Sequence, residues 1–465
     1  MANYYLAVDI GASSGRHMLA HLEDGKVVLE EIHRFSNGMI EVDGHKRWDI
    51  DELFRQIIIG LKKCKELGKI PTSMGIDTWA VDYVLLDENY NVVRPCFGYR
   101  DGRTAGMDEE VYKIIPEDKL YERTGIQKAI FNTIYQLVAD KKAGYLENAN
   151  SFLMVPDYLH YLLTGVKSNE YTNCSTTQLL NPDKMDWDYE LIEMLGFNID
   201  LFGEIKQPGV CIGTFSDSVK AEVGFDCKVV LPPTHDTASA VFAVPNTSDN
   251  VLYISSGTWS LLGSENMEAI CTKEAMEANF TNEGGYEGHF RFLKNIMGLW
   301  MIQSVRNELI AAGQEYSFAE LCNLAEQADI EAFVDANDDC FLAPDSMIEA
   351  VKEYCRNHGQ DEPQTPGELA KVIYQSLAIC YRKACDEVET ITGKHFDTIN
   401  VVGGGSKAGY LNKLTAETTG KTVIAGPSEA TALGNIGSQM VANGEVAGLK
   451  EFRQLLMGCQ SNQTA

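Results

Sequence analysis

One pattern occurs twice in this chain, first near residue 10 and again near residue 256. In the first copy, an apolar run over residues 4–8 leads into a glycine- and serine-rich turn, and a second run covers residues 16–22. In the second copy, the run 251–254 leads into Ser-Ser-Gly-Thr and a further apolar run. Each copy predicts a tight hairpin whose tip exposes amides and hydroxyls, an arrangement that can hold phosphate. Because the hairpins open halves of similar size, they indicate an internal duplication and two related lobes around a shared cleft.

The length of the chain fits two lobes. At 465 residues it is too long for one hydrophobic core and suits two domains, which we place at residues 1–245 and 246–465. The net charge of −28 repels nucleic acid and acidic membrane surfaces. A nucleotide must therefore be bound by local amides, a metal ion and a few placed cations.

Several features bear on the cellular location. The first residues carry no basic region, and Asp9 interrupts the first apolar run, so no signal peptide is predicted. No window approaches the roughly 20 apolar residues needed to span a bilayer. The 12 cysteines are scattered without a Cys-x-x-Cys pair, which favours reduced, packed thiols over a disulfide or zinc framework. We expect a cytoplasmic protein.

A polar turn precedes a helix of small residues in the middle of the chain. An apolar run stops at Pro232 and Pro233, the turn Thr-His-Asp-Thr follows, and the helix begins with Ala238. This order puts Asp236 at a helix N-terminus. A carboxylate at that position is either a helix cap or a catalytic group.

A second polar turn interrupts residues 73–87, which predict a strand on either side of it. Asp77 and Asp82 bracket Trp79 in this turn. A carboxylate beside an indole is suited to hold a sugar through its hydroxyls and its apolar face. Two turn-forming aspartates and a core tryptophan explain the same pattern equally well.

The C-terminal half alternates helices, strands and glycine-rich turns. Residues 279–288 predict a mobile loop from their glycine and acidic content, residues 294–298 a turn, and residues 335–357 irregular structure. Residues 366–392 predict a long helix with one apolar face. A strand over 397–402 then leads into three successive glycines, where backbone can approach a charged ligand closely.

Several common catalytic motifs are missing from the sequence. It contains no P-loop, no His-Arg-Asp loop of protein kinases and no His-Glu-x-x-His. If this protein uses ATP, it binds the nucleotide without a P-loop.

Taken together, six short motifs resemble those of the FGGY carbohydrate kinases. The Asp-x-Gly hairpin alone is shared by actin-like ATPases and is weakly specific, whereas the combination is strongly specific. The motifs occur in order and are Val8-Asp9-Ile10-Gly11-Ala12-Ser13-Ser14-Gly15-Arg16, Gly75-Ile76-Asp77-Thr78-Trp79-Ala80-Val81-Asp82, Tyr99-Arg100-Asp101, Thr234-His235-Asp236-Thr237, Ser256-Gly257-Thr258-Trp259 and Val402-Gly403-Gly404-Gly405.

The resemblance implies an α/β protein with an actin-like ATPase fold, in which two ribonuclease-H-like lobes enclose a cleft. Residues 1–245 would bind the sugar and residues 246–465 would bind ATP, with Mg²⁺ as the metal. The implied reaction is phosphoryl transfer to O1 of a ketose, with L-rhamnulose as the best match. L-fuculose and D-xylulose are alternative substrates, and an actin-like ATPase switch is a distant alternative function. A monomer or homodimer without nucleic acid or membrane partners is expected.

The resemblance also assigns roles to individual residues. Asp236 is the base that removes the O1 proton, and Asp9 acts through Mg²⁺ and its waters. The sugar-side residues are Trp79, Ala80, Asp82, His235, Asp236, Thr237 and Asn295. The ATP-side residues are Ala12, Ser13, Ser14, Gly15, Arg16, Thr258, Gln303 and Gly404.

Ala80 departs from the pattern of the subfamily, which usually has glycine after the tryptophan. If the main chain faces the sugar, the extra methyl group is tolerated. If the methyl group points into the pocket, the pocket is narrower.

Overall fold

The computed structural model describes residues 3–248 and 250–460, which form two compact units. Unit 1 comprises Met1–Ala243, Asn266–Phe292 and Thr431–Ala465, and unit 2 comprises Val244–Glu265 and Leu293–Ala430. The units therefore do not follow a single cut at residue 245, because two later segments pack against the strands of unit 1. The assignment of sugar binding to residues 1–245 and of ATP binding to residues 246–465 stays a prediction.

The strands of the described residues are numbered β1 to β20. In chain order they are Tyr4–Ile10, Ser14–Glu23, Lys26–Ser36, Ile40–Val42, His45–Arg47, Pro71–Thr78, Tyr83–Leu86, Ser151–Met154, Asn169–Glu170, Leu180–Asn181, Asp186–Trp187, Ile205–Lys206, Cys211–Thr214, Lys228–Val230, Leu252–Ser256, Trp259–Asn266, Thr281–Gly284, Phe290–Met297, Thr398–Val402 and Thr422–Ala425.

The α-helices of the same residues are numbered α1 to α17. In chain order they are Ile50–Glu66, Met107–Tyr112, Glu117–Thr124, Thr133–Lys142, Val155–Thr164, Tyr171–Cys174, Tyr189–Met194, Asp217–Val223, Asp236–Phe242, Lys273–Glu277, Trp300–Ala311, Phe318–Gln327, Met347–Asn357, Pro366–Thr392, Gly409–Thr419, Ala430–Ala442 and Leu449–Gln460. Short 3-10 turns cover Gly102–Thr104, Tyr145–Asn148, Ser175–Thr177, Ile199–Leu201, Asp339–Phe341 and Gly404–Lys407.

Unit 1 is built around a mixed sheet in the order β13-β14-β6-β1-β2-β3. Strand β1 pairs antiparallel with β2, which pairs antiparallel with β3. On its other side β1 pairs parallel with β6, which pairs parallel with β14. Nearly all of β1 is buried, as its continuous apolar sequence predicts for a central strand.

Unit 2 repeats this plan. The sheet that contains most of its strands has the order β17-β18-β16-β15-β19-β20. The central strand β15 again pairs antiparallel with the next strand of its hairpin, β16, and parallel with β19, which pairs parallel with β20. The same strand order in both units confirms the internal duplication that the two hairpins predict.

Local signals determine the helices that the sequence predicts. Helix α1 begins after Asp49, whose side chain accepts a hydrogen bond from the amide of Glu52. Helix α14 has the predicted bounds, because Thr365 and Glu368 form a capping box and Pro366 occupies the first turn. The apolar faces of both helices are buried.

Three predictions about the C-terminal half are wrong. Residues 279–288 are not a mobile loop, because β17 lies within them and is buried. Residues 294–298 are not a turn, because β18 continues to Met297. Residues 335–357 are not wholly irregular, because Ser346 caps α13, which buries Met347, Val351 and Cys355.

Two further observations concern the class of protein. Within residues 3–248 and 250–460, no helix has the length and apolar character that crossing a membrane requires. The cysteines from Cys64 to Cys385 are free thiols.

Candidate active site

Charged residues meet at one end of the central strands of unit 1. Asp9 on β1 is the register partner of Arg16 on β2 and of Asp77 on β6. Nη2 of Arg16 lies 2.7 Å from Oδ2 of Asp9. Thr78, the last residue of β6, forms a parallel bridge with His235, which brings the neighbouring Asp236 to the same end of the sheet. The sheet thus collects three carboxylates and one guanidinium.

Asp77 is the most deeply buried of these carboxylates. Its Oδ2 accepts a hydrogen bond of 2.6 Å from the amide of Asn435 on α16. Burial raises the pKa of Asp77 well above its ordinary value, and the nearby charges of Asp9 and Asp236 act in the same direction. The close approach of α16 depends on Gly75, where a Cβ atom would lie 2.9 Å from Asn435 and from Pro232.

The predicted phosphate-side residues comprise Ala12 and Ser13 at the tip of the β1–β2 hairpin and Ser14 and Gly15 at the start of β2. Ala12 and Ser13 are exposed. The tip is held by Asn37, whose amide nitrogen donates to the carbonyl of Ser13 at 3.0 Å and whose side chain donates to the carbonyl of Gly11 at 2.8 Å. Its conformation is therefore fixed while the outer residues remain accessible.

Asp236 is the first residue of α9, and His235 occupies the N-cap position without a capping hydrogen bond from its side chain. Oδ1 of Asp236 accepts hydrogen bonds from the amide of Thr237 at 2.6 Å and from its hydroxyl at 3.2 Å. Nε2 of His235 lies 3.3 Å from the same oxygen. Because the side chain of Asp236 is 33% exposed, the carboxylate is accessible to a reactant.

Two residues that the sequence analysis did not predict contact His235. Glu283 on β17 and Arg291 on β18 are both buried, and Nη2 of Arg291 lies 2.9 Å from Oε2 of Glu283. Burial would raise the pKa of Glu283, but the charge of Arg291 and the contact with His235 lower it to about 2. Glu283 is therefore an anion at neutral pH.

Glu170 is a third buried residue that the sequence analysis missed. Its Oε2 accepts hydrogen bonds from the amide of Thr234 at 3.0 Å and from its hydroxyl at 2.6 Å, and the hydroxyl of Thr172 donates to the same oxygen at 2.6 Å. These bonds fix the turn that precedes His235. Burial raises the pKa of Glu170, and the hydrogen bonds from Thr172 and Thr234 counteract the shift.

Trp79 and Asp82 lie in a buried aromatic cluster. The ring of Trp79 packs 4.0 Å, centroid to centroid, from that of Trp48. Asp82 accepts hydrogen bonds from the indoles of Trp48 and Trp79, from the amide of Tyr99 and from the side chain of Gln136. Since Asp82 is only 1% exposed, it lies behind the indoles and orients them. A direct bond from Asp82 to a sugar stays a prediction.

Ala80 is half-buried between Trp79 and a strained residue. Val81 has a φ of 68°, which is costly for a β-branched side chain. Its carbonyl accepts hydrogen bonds from the hydroxyl of Thr133 at 2.7 Å and from Gln136 at 3.2 Å, and these bonds hold the turn.

The predicted ATP-side residues Thr258, Gln303 and Gly404 belong to one cluster in unit 2. Thr258 lies at the tip of the β15–β16 hairpin, and its carbonyl accepts a hydrogen bond from the amide of Trp300 in the first turn of α11. Gln303 lies one turn further along this helix. The glycine turn reaches the same hairpin, because a Cβ atom on Gly405 would lie 1.9 Å from the hydroxyl of Ser256.

Asn295 lies on β18 and is half-buried. Its neighbour Lys294 forms an ion pair of 2.7 Å with Glu387 on α14. The structure thus places Asn295 in a strand within unit 2, and its predicted contact with the sugar stays a prediction.

Comparison with known proteins agrees with this geometry. The model of the N-terminal domain of the FGGY family of carbohydrate kinases matches residues 4–243, and the model of its C-terminal domain matches residues 252–443. The chain belongs to the FGGY family of carbohydrate kinases. As an FGGY kinase it is a phosphotransferase with an alcohol group as acceptor.

Relatives within the FGGY family cover nearly the whole chain. A protein named rhamnulokinase from Oceanobacillus iheyensis is 51% identical over 97% of this chain and 96% of its own length. A rhamnulokinase from Halalkalibacterium halodurans is 52% identical over 98% of this chain and 97% of its own length. A rhamnulokinase from Bacillus subtilis is 46% identical over 97% of this chain and 93% of its own length.

Solved structures extend the similarity to the fold. A gluconate kinase from Lactobacillus acidophilus superimposes with a TM-score of 0.80 at 16% identity, covering 98% of this chain and 92% of that one. A ligand-bound xylulose kinase from the same organism has a TM-score of 0.80 at 17% identity, covering 97% and 92%. The predicted actin-like ATPase fold of two α/β lobes is confirmed.

Proposed function

We propose that this protein transfers the γ-phosphoryl group of ATP to O1 of L-rhamnulose, giving L-rhamnulose 1-phosphate and ADP, and that it does so in the cytoplasm during L-rhamnose breakdown. The observation that carries the substrate is the identity of 51% and 52% to two proteins named rhamnulokinase, over nearly the full length of each. The accessible carboxylate of Asp236 supports the chemistry.

In the proposed mechanism, Asp236 takes the proton of the O1 hydroxyl while O1 attacks the γ-phosphorus. The bond between that phosphorus and the bridging oxygen of ADP breaks, and ADP leaves with the electron pair. Arg16 and the amides of the β1–β2 hairpin tip neutralise the charge on the phosphates. On the nucleotide side, Thr258, Gln303 and Gly404 hold ATP.

Asp9 fits a role at Mg²⁺. Kinases bind this ion through one or two carboxylates, with water and phosphate oxygens completing the shell. The side chain of Asp9 is 10% exposed near the end of β1, where it pairs with Arg16, so this carboxylate would be the protein ligand. The bound ion would neutralise charge on the β- and γ-phosphate oxygens.

The substrate is tested by measuring ADP release with Mg-ATP and L-rhamnulose, L-fuculose, L-ribulose or D-xylulose. L-rhamnulose is expected to give the highest kcat/KM. A higher value for another ketose would contradict the substrate but not the kinase, and would direct attention to the methyl group of Ala80. Equal ADP release without any sugar would indicate an ATPase switch instead.

A further inference from the structure

The ring of His235 is held on both sides by charged residues of unit 1. Nδ1 lies 3.1 Å from Nη2 of Arg291 and 3.2 Å from Oε2 of Glu283. Nε2, on the opposite side of the ring, lies 3.3 Å from Oδ1 of Asp236. Nδ1 therefore has two charged neighbours and Nε2 has one, and the position of the ring proton follows from the chemistry of those neighbours.

Arg291 can only donate hydrogen bonds, because a guanidinium has no acceptor atom. Its contact with Nδ1 has the geometry of a hydrogen bond, so Nδ1 accepts. A neutral imidazole carries its single proton on the other nitrogen, Nε2. That proton is then directed at the carboxylate of Asp236, which can only accept when it is ionised.

The two oxygens of Asp236 differ in their partners. Oδ1 accepts hydrogen bonds from the amide and the hydroxyl of Thr237 and lies 3.3 Å from Nε2 of His235. None of the hydrogen bonds among the described residues of the chain involves Oδ2. The carboxylate is thus fixed through one oxygen and leaves the other for a reactant.

We propose that Arg291 and Glu283 are positioning residues that hold His235 protonated at Nε2, so that His235 fixes Oδ1 of Asp236 and Oδ2 receives the proton of the sugar. Arg291 sets the tautomer, and Glu283 holds Arg291 in place. This inference rests on the proposed phosphoryl transfer, because only that reaction requires a proton acceptor at Asp236.

The segment that carries Glu283 and Arg291 is itself anchored. Nε of Arg291 donates to the carbonyl of Gly284 at 2.8 Å, and the amide of Gly284 donates to the hydroxyl of Ser175 at 2.7 Å. A Cβ atom on Gly284 would lie 2.6 Å from the ring of Tyr171. These contacts fix the segment that carries the Glu283–Arg291 ion pair against α6 and the 3-10 turn that follows it.

The tautomer can be measured directly by NMR of protein labelled with ¹⁵N-histidine. The spectrum of His235→Gln identifies the signals of His235 among the nine histidines. We expect His235 of the unmodified chain to carry a proton on Nε2 and none on Nδ1 at pH 7.5. In Arg291→Gln, both tautomers should become populated. A protonated Nδ1 in the unmodified chain would overturn the inference, because His235 would then donate to Glu283.

Kinetics test the consequence for the reaction. A displaced catalytic group can cost about 100-fold in rate, so Arg291→Gln and Glu283→Gln should lower kcat by about 10- to 100-fold while the KM for ATP stays within about twofold. Arg291→Lys keeps a donor and should recover part of the loss. Unchanged kcat in both Arg291 variants, with the protein folded, would overturn the inference.

Arg94 provides a matched control. It is buried in unit 1, pairs with Asp140 at 2.8 Å and donates to the carbonyls of Tyr83 and Pro95. Arg94→Lys should lower the thermal midpoint without changing kcat or the His235 spectrum. If Arg94→Lys lowered kcat as much as Arg291→Lys does, the loss of any buried arginine would have this effect. That result would contradict a positioning role for Arg291. The NMR result does not depend on the identity of the sugar. The substrate proposal and the tautomer of His235 can therefore be contradicted independently of each other.

Discussion

Oδ2 of Asp82 accepts a hydrogen bond of 3.0 Å from the indole nitrogen of Trp79, three residues earlier in the chain. The same oxygen accepts from the indole of Trp48 at 2.6 Å. One buried carboxylate thus sets the orientation of two aromatic rings that pack against each other at a tilt of 33°. The orientation of the aromatic surface that we expect a sugar to contact therefore depends on the position of Asp82.

Replacing Asp82 with asparagine should disturb this surface. The amide group of asparagine would face the side-chain nitrogen of Gln136, which now donates to Oδ1 of Asp82 at 3.0 Å. An unpaired buried polar group costs about 1–3 kcal/mol in the free energy of unfolding. We expect a loss of that size, a shifted tryptophan emission and a higher KM for the ketose. An unchanged emission spectrum would show that Asp82 does not set the indoles.

Replacing Asp236 with asparagine distinguishes between a catalytic role and a helix-capping role for this carboxylate. Loss of a general base should lower kcat by about 10² to 10⁴-fold, and the free energy of unfolding should change little because His235 occupies the N-cap position. ADP release and chemical denaturation measure the two effects.

Asp49 provides the control for that prediction, since its side chain caps α1 through the amide of Glu52 at 3.0 Å. Asp49→Ala should cost about 1 kcal/mol in stability and leave kcat unchanged. If Asp236→Asn behaved like Asp49→Ala, Asp236 would be a structural residue.

The glycine turn of unit 2 allows neighbouring positions to be compared. A Cβ atom on Gly404 would meet no atom within 4 Å, whereas one on Gly405 would lie 1.9 Å from Ser256. Gly405→Ala should therefore cost about 1–3 kcal/mol in stability through overpacking. Gly404→Ala should leave the free energy of unfolding unchanged. If the backbone of Gly404 faces the nucleotide, the added methyl group should raise the KM for ATP about tenfold, which corresponds to about 1.4 kcal/mol.

Gly409 is the matched control for the Gly404 variant, because it also has no atom within 4 Å of an added Cβ. Gly409→Ala should change neither stability nor the KM for ATP. Equal KM values in the Gly404 and Gly409 variants would remove Gly404 from the proposed ATP site.

His160 on α5 predicts a dependence of stability on pH. Its Nε2 accepts a hydrogen bond of 3.0 Å from the amide of Ile76, and burial lowers its pKa from 6.5 to about 3. Below pH 6.5 the unfolded chain binds a proton at this site that the folded chain does not bind. The free energy of unfolding therefore falls as the pH decreases from 6.5 towards 3, and by pH 5 this site accounts for about 2 kcal/mol of the decrease.

The variant His160→Gln keeps an acceptor for Ile76 but cannot titrate. Denaturation at pH 7.5 gives the packing cost of the substitution alone, because the histidine is then neutral in both states. Between pH 7.5 and pH 5 the variant should lose about 2 kcal/mol less than the unmodified chain. Identical losses would contradict a neutral His160 in the folded protein.

The sequence predicts those parts of the site whose signals are local. The hairpin tip at Ala12 and Ser13 follows from small residues between apolar runs, and the position of Asp236 follows from the prolines and small residues around it. In both cases the residues that decide the structure are within a few positions of the residue that is predicted. The structure confirms the hairpins, and the helix begins at Asp236, two residues before the predicted start at Ala238.

The residues that the sequence analysis missed depend on distant partners. Glu283 lies in a glycine-rich stretch that predicts a loop, and the charge of this buried residue is compensated by Arg291, which lies eight positions later. Asn435 lies in a helix of small residues, and its partner Gly75 is 360 positions away in the chain. No local pattern in the sequence indicates such a pairing.

The return of α16 to unit 1 affects how the protein is made. Side-chain amides of Asn435 and Gln439 donate to the carbonyls of Gly75 and Leu6 and so complete two central strands. During synthesis these strands leave the ribosome long before α16 does, and all of unit 2 is made in between. Until α16 is made, the nascent N-terminal sheet therefore lacks these contacts and exposes apolar surface, a state in which aggregation competes with folding.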